Sequence, residues 1–208
     1  MERSAMDRRR LLRLGALLPG VAALMAAPAA VSPGEGCEPT RSDNDGPFYL
    51  PGAPRRSKIA GPEEPGERLQ IRGTVMAGDC RTPLAGALLD VWQADASGRY
   101  HGRGEDFRLR GQLMTNARGE YEFETIRPGQ YDMGGGRRPA HIHFTVSSPE
   151  YQPLTTQLYF AGDPNLGKDD PCGRGCDSDD PRRIIRPERE GSGPGTGRFD
   201  IILRRSRA

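Results

Sequence analysis

Apolar residues recur in this chain at every second position over short windows, not at helical spacing. Leu69, Ile71, Gly73 and Val75 alternate with polar neighbours, and Tyr121, Phe123 and Thr125 alternate with Glu120, Glu122 and Glu124. Both windows predict strands, the second half-exposed. Leu89 and Val91 sit out of phase with Leu88 and Trp92, which predicts a strand buried on both faces with Trp92 in the core. Further strands are predicted over His141 to Ser147, Leu154 to Phe160 and Phe199 to Leu203. Turn residues such as Gly78-Asp79, Arg118-Gly119 and Arg127-Pro128-Gly129 separate them. Short strands with turns between them, and no amphipathic helix, predict an all-β chain folded as an antiparallel β-sandwich.

Composition agrees with that pattern. The chain has 208 residues with 28 Gly and 19 Pro, a length for one domain with tails and a composition unlike a helical bundle or coiled coil. Three regions follow. Residues 1–30 read as a leader, 31–66 as an extended Pro/Gly-rich arm, and 67–208 as the sandwich. Within the last, 161–197 is an Asp-, Gly- and Arg-rich connection nearly free of apolar residues, expected to be a functional loop or partly disordered.

In the leader, Arg8-Arg9-Arg10-Leu11-Leu12-Arg13 precedes a Gly/Ala/Leu-rich stretch ending in Ala26-Ala27-Pro28-Ala29-Ala30. That order of basic, apolar and small residues is an export signal, and the paired arginines resemble the twin-arginine type. An uncleaved membrane anchor is the rival reading, which Pro19, Gly20 and Pro28 disfavour. The expected location is therefore periplasmic or extracellular, in a bacterium, with no membrane association after the signal is removed. Arg3, Arg8, Arg9, Arg10 and Arg13 stand against Glu2 and Asp7, so the leader carries +3 of a total of +2 and the rest of the chain about −1. Nothing in that charge favours nucleic acid.

Export places Cys37, Cys80, Cys172 and Cys176 in an oxidising compartment, where two disulfides are expected. Three pairings are open. Gly173 and Gly175 make the short loop flexible and favour Cys172 with Cys176, leaving Cys37 with Cys80. A zinc site is the runner-up, although one CxxxC with two remote cysteines is poor zinc spacing.

The candidate chemistry centres on His141-Ile142-His143. On a strand these imidazoles share a face, with Ile142, Phe144 and Val146 on the other. Two imidazoles make half of a metal site, a pattern found in zinc and copper proteins and also by chance on exposed strands. The surroundings sharpen it: Arg138-Pro139-Ala140 lies just upstream, and Tyr131 follows Arg127-Pro128-Gly129-Gln130. Val91-Trp92-Gln93-Ala94-Asp95 precedes Gly98-Arg99-Tyr100, and Thr156-Gln157-Leu158-Tyr159-Phe160-Ala161-Gly162-Asp163 follows. With Gly46-Pro47-Phe48-Tyr49, Pro51-Gly52 and Pro83-Leu84-Ala85-Gly86-Ala87, these ordered blocks resemble the intradiol ring-cleavage dioxygenases, which include catechol 1,2- and protocatechuate 3,4-dioxygenases.

The resemblance implies an immunoglobulin- or transthyretin-like sandwich holding Fe(3+) through Tyr100, Tyr131, His141 and His143. It implies Tyr100 and His143 as the equatorial pair and Tyr131 and His141 as the axial pair. The substrates implied are a small aromatic diol and O2, the ring being cut between its hydroxylated carbons to a muconate-type diacid. Tyr131 would serve as ligand and then as base, Arg138 would stabilise developing negative charge, Gln157 would line the substrate pocket, and Tyr49 would close it from the arm. The family leaves a homo-oligomer open. Two phenolates and two imidazoles also suit iron(III) on their own chemistry, since hard anionic oxygens offset its charge.

Plainer readings stand beside these. Tyr100 and Tyr131 read alone are rim tyrosines, Arg138 a surface arginine, Gln157 a solvated strand residue, and His101 an exposed neighbour of Tyr100. The segment Asp132-Met133-Gly134-Gly135-Gly136-Arg137 is shorter and richer in glycine than expected of the family, which predicts a more open pocket. The alternative functions are an iron-free binding module on the same fold and a zinc or copper enzyme using the histidine pair.

Overall fold

The alternation in the sequence becomes two facing sheets. The computed structural model describes residues 37–102, 107–176 and 178–207; the leader read at 1–30 lies outside them. The strands in chain order are β1 (Arg68–Ala77), β2 (Leu88–Gln93), β3 (Arg110–Met114), β4 (Glu120–Ile126), β5 (Tyr131–Asp132) and β6 (Arg137–Arg138). They continue with β7 (His141–Ser147), β8 (Leu154–Phe160), β9 (Ile184–Ile185), β10 (Glu188–Arg189), β11 (Gly195–Arg198) and β12 (Ile201–Leu203).

In the first sheet β1 pairs antiparallel with β4, Ile71 opposite Phe123. Along its other edge it pairs in parallel with β11 through Leu69 to Arg72 and with β12 through Val75 to Ala77. Gly73 sits where the chain passes from β11 to β12, and a Cβ there would run into the Phe199 carbonyl. The second sheet has the order β3-β2-β7-β8-β9, antiparallel except for the parallel pair β8–β9. The chain is the expected all-β sandwich, largely antiparallel, with parallel pairs added at β1–β11, β1–β12 and β8–β9. Its parallel pairs all involve segments after residue 183, which return to the sheets through long connections.

Leu69, Ile71, Val75 and Phe123 from one sheet meet Leu89, Val91, Ile142, Phe144, Val146, Leu158 and Phe160 from the other in one core. On the outward face of the second sheet Asp90, Trp92, His141, His143, Gln157 and Tyr159 are buried as well, because the arm crosses that face. Gln157 Nε2 donates to the Asn44 carbonyl and Tyr159 Oη to the Asp43 carboxylate, and from the opposite face of β8 Thr156 Oγ1 donates to the Arg41 carbonyl, at 2.8 Å each. A layer of polar groups therefore lies between the sheet and the arm.

Segment 161–197 is built, not irregular. It holds three single-turn 3-10 helices (Gly167–Asp169, Gly173–Gly175, Pro181–Arg183) and strands β9 to β11. Ile185 joins the sandwich core, and the other buried side chains include Asp163, Asp170, Cys176, Ser178, Asp180 and Arg183, so ion pairs and a disulfide order most of it where hydropathy gives little signal. Disulfides join Cys37 to Cys80 and Cys172 to Cys176, the favoured pairing.

Candidate metal centre

Strand period brings the two histidines out on one face of β7. In register across the sheet, His143 stands opposite Trp92 on β2 and Gln157 on β8, and His141 opposite Tyr159. The tyrosines arrive on two loops that interlock through glycines. Gly98, at φ +88°, and Gly129 lie backbone to backbone, and a Cβ on either would collide with the carbonyl of Gln130 or of Ala96. The Asp95 carbonyl ties the turns together by accepting from both Gly98 N and Gly129 N, at 3.0 and 2.8 Å. Tyr100 and Tyr131 follow these turns, their rings 5.5 Å apart and nearly perpendicular.

Three polar atoms converge. Tyr100 Oη lies 3.2 Å from His141 Nε2 and 3.1 Å from His143 Nε2, and the two Nε2 atoms are 3.1 Å apart. Tyr131 lies beside this triangle, its ring 5.8 Å from that of His141. His141 Nδ1 donates to the Pro139 carbonyl at 2.6 Å; since a carbonyl only accepts, Nε2 carries the lone pair and aims it at the centre. Burial, with Arg138 adding, pushes His141 down to about 3. Burial also takes His143 well below its ordinary value, with His141, Arg138 and Arg110 adding. Both rings are neutral at pH 7. The Tyr100 hydroxyl is pushed well above the phenol range, first by burial and then by Tyr131.

These features fit a metal. Donors held about 2.1 Å from one ion and adjacent around it stand about 3 Å apart, the spacing of the three atoms here. An anchored Nδ1–H is the usual support of a ligating imidazole. A cation also reverses the cost of ionising a buried phenol. At this centre the donors beside the two imidazoles are tyrosine oxygens, hard donors that favour iron(III).

Around the centre, Arg138 is buried and its Nη2 donates to Gln157 Oε1 at 2.8 Å and Tyr159 Oη at 3.2 Å. Gln157 is fully buried, not a solvated strand residue. Tyr49 turns along the sheet: its hydroxyl donates to Asp90 at 3.2 Å and its ring leans on Trp92. Phe48 takes the place at the centre, its ring 4.3 Å from that of Tyr100 and edge-on to Tyr131. Trp92 is buried as expected but faces the site, stacked on His143. His101, expected to be exposed, is 2% exposed. It contacts Asp95 Oδ2 at 2.9 Å, and its carbonyl accepts from Arg110 Nη2 at 3.0 Å, a bracket that fixes the loop carrying Tyr100. Of these, only Phe48 had a local signal, as the other aromatic of Gly46-Pro47-Phe48-Tyr49.

Comparison with known proteins gives the family. The family described as Dioxygenase matches residues 45–175. Catechol 1,2-dioxygenase 2 of Acinetobacter lwoffii is 38% identical over 145 residues, 60% of this chain and 52% of that protein. Chlorocatechol 1,2-dioxygenase of Pseudomonas putida is 34% identical over 184 residues, 78% of this chain and 67% of that one. Among solved structures, the dioxygenase domain of a dioxygenase–carbohydrate-binding protein fusion from Streptomyces sp. SirexAA-E superposes with a TM-score of 0.70 at 36% identity, covering 81% of this chain and 100% of that one. The chain spans about half the length of the first catechol dioxygenases it matches. The interlocked tyrosine loops, the paired histidines and these matches place the chain in the intradiol ring-cleavage dioxygenase family.

Proposed function

We propose that the chain cleaves a small aromatic 1,2-diol with O2 between the two hydroxylated carbons, giving a muconate-type diacid. The observation that carries this reading is the triangle of Tyr100 Oη, His141 Nε2 and His143 Nε2, 3.1 to 3.2 Å on every edge. These three side chains and Tyr131 would hold Fe(3+). Iron(III), when bound, would draw electron density from the catecholate and open a ring carbon to attack by O2.

The chain's own groups do the rest. Tyr131, which would hold the metal as a tyrosinate, would on release take up at Oη the proton of a diol hydroxyl and become the neutral phenol, which lets the substrate enter as an anion. Arg138 supplies a fixed positive charge in a dry site, where it stabilises negative charge as it develops. Gln157 presents its amide beside Arg138, and Phe48 shields the Tyr100 and Tyr131 rings from water. The relatives' names, catechol and chlorocatechol 1,2-dioxygenase, support a catechol-type substrate. The leader and the two disulfides support an exported protein, since such bonds persist in oxidising compartments.

The test is a visible absorption spectrum of the aerobically purified protein, before and after anaerobic addition of catechol. A red-brown tyrosinate band that moves to longer wavelength with catechol is the expected result. A protein that stays colourless after iron is supplied would overturn the reading in favour of a binding module.

A further inference from the structure

Arg138 is aimed by a residue outside the set above. Its Nε lies 2.9 Å from Oδ1 of Asp170, with the two side chains 2% and 0% exposed. Its Nη2, the nitrogen adjacent to the Nε–H, reaches Gln157 Oε1 at 2.8 Å. A guanidinium taken out of water follows its counter-charge, so the carboxylate beside Nε helps decide where Nη2 points.

Asp170 is itself clamped. Its Oδ1 accepts from Cys172 N at 3.0 Å, and its own N–H donates to the Gly167 carbonyl at 3.0 Å. The Cys172–Cys176 disulfide closes the next turn. That bond packs on the arm, where Asn44 Nδ2 donates to both sulfurs at 3.1 and 2.9 Å. The Asn44 carbonyl accepts from Gln157 Nε2 at 2.8 Å. Arg183 Nη2 donates to the Cys176 carbonyl at 2.7 Å and fixes the far end of the turn. The disulfide-closed turn thus supports Arg138 through Asp170 and Gln157 through Asn44.

We propose that Asp170, clamped by the Cys172–Cys176 turn, is the positioning residue that aims Arg138 and keeps it on Gln157 at the diol site. The proposal rests on the dioxygenase reading for what Arg138 does, but the placement of Arg138 can be read without it.

Asp170→Asn keeps the side chain's size and removes its charge. Iron-loaded D170N is expected to keep the tyrosinate band and to lose about ten- to a hundredfold in kcat with catechol, the range for a residue that supports a functional group, while KM moves far less. The Cys172→Ser/Cys176→Ser double variant is expected to fall in the same direction by a smaller factor. In metal-free crystals of D170N, Arg138 Nη2 should leave hydrogen-bonding distance of Gln157 Oε1. A kcat within about twofold of the parent, or an unmoved Arg138 in those crystals, would overturn the proposal. So would a bleached band, because a group acting only through Arg138 leaves the metal centre coloured. If the parent protein takes up no iron, the dioxygenase reading fails instead, and the crystals of D170N still decide whether Asp170 sets Arg138.

Discussion

The imidazole of His143 lies flat on the indole of Trp92, ring centroids 4.7 Å apart and planes 6° from parallel. The two residues are direct cross-strand partners on β2 and β7, and both are buried. Strand register brings them together, and the indole plate removes the remaining rotation of the imidazole, so Nε2 stays directed at Tyr100 Oη. Trp92→Ala should therefore do two things. Loss of a buried indole costs about 3–5 kcal/mol, and the freed His143 should lower the iron bound per chain. Trp92→Phe retains a plate and should show less of both. Thermal unfolding with elemental analysis on the two variants checks this; an unchanged iron content in W92A would contradict it.

Phe48 tests the centre from the side of the arm. It is 37% exposed, yet its ring lies 4.3 Å from that of Tyr100 and 10° from parallel. Being half in solvent, it contributes little to stability, and Phe48→Ala should cost about 1 kcal/mol or less. An aromatic pair contributes about 0.5–1.5 kcal/mol beyond burial, so the KM for catechol should rise about two- to tenfold. Tyr49→Phe, which removes only the bond to Asp90, should leave KM unchanged. Steady-state kinetics on both variants separates the two aromatics; a rise in KM with Tyr49→Phe alone would reverse their roles.

The histidine pair of this site was legible because strand geometry is local. His141 and His143 share a face through the period of two, whereas Gln157, which read alone is a solvated strand residue, came only from the family resemblance, and Tyr159 beside it was not singled out. The loops were legible only through family resemblance, since nothing in the alternation of residues says that Gly98 and Gly129 bring Tyr100 and Tyr131 together. His101 was misread for a related reason: its partner Asp95 lies in the same loop, but the fold of the turn that joins them is set by contact with Gln130. Strand β3 was missed because Arg110-Gly111-Gln112 has no apolar character; it is buried by the arm, whose Pro54 carbonyl and Arg56 N–H bond to Gln112. Asp170 and the ion pairs of segment 161–183 were hidden because charged residues are buried there against one another, which hydropathy reads as loop.

The alkaline limit of stability should involve Tyr121. This residue is buried between the sheets, its hydroxyl donating to the Phe199 carbonyl at 2.6 Å. Burial, with the Asp200 carboxylate adding, raises its pKa well above the phenol value of 10.0. The folded state keeps the proton where the unfolded chain loses it. The stability from this group is therefore complete below pH 10 and falls as pH rises above that value, by at most about 1.4 kcal/mol per pH unit. Tyr121→Phe should be less stable than the parent at pH 7, by about 1–3 kcal/mol for the unpaired Phe199 carbonyl, and should lose less between pH 10 and 11. Denaturant unfolding at pH 7, 10 and 11 gives the comparison; parallel losses in the two proteins would rule out this residue as a source.

The two disulfides should differ in what they stabilise. Cys37–Cys80 spans 43 residues and Cys172–Cys176 spans 4. Restriction of the unfolded chain grows with the logarithm of the closed loop, which gives about 4 kcal/mol for the first and about 2 kcal/mol for the second. The long bridge ties the start of the arm to the turn after β1, and the arm covers the polar face on which His141 and His143 stand. Cys37→Ser/Cys80→Ser should therefore lower Tm more than Cys172→Ser/Cys176→Ser, by about 4–8 °C for a chain of this size. Turnover should show the opposite order below Tm. The short bridge lies beside Asn44, which holds Gln157, whereas the long bridge leaves the hydrogen bonds from Thr156, Gln157 and Tyr159 to the arm in place. Calorimetry and kcat measured on the same two double variants would expose this crossing, and a single ranking in both measurements would show that neither bridge acts on the site separately from the fold.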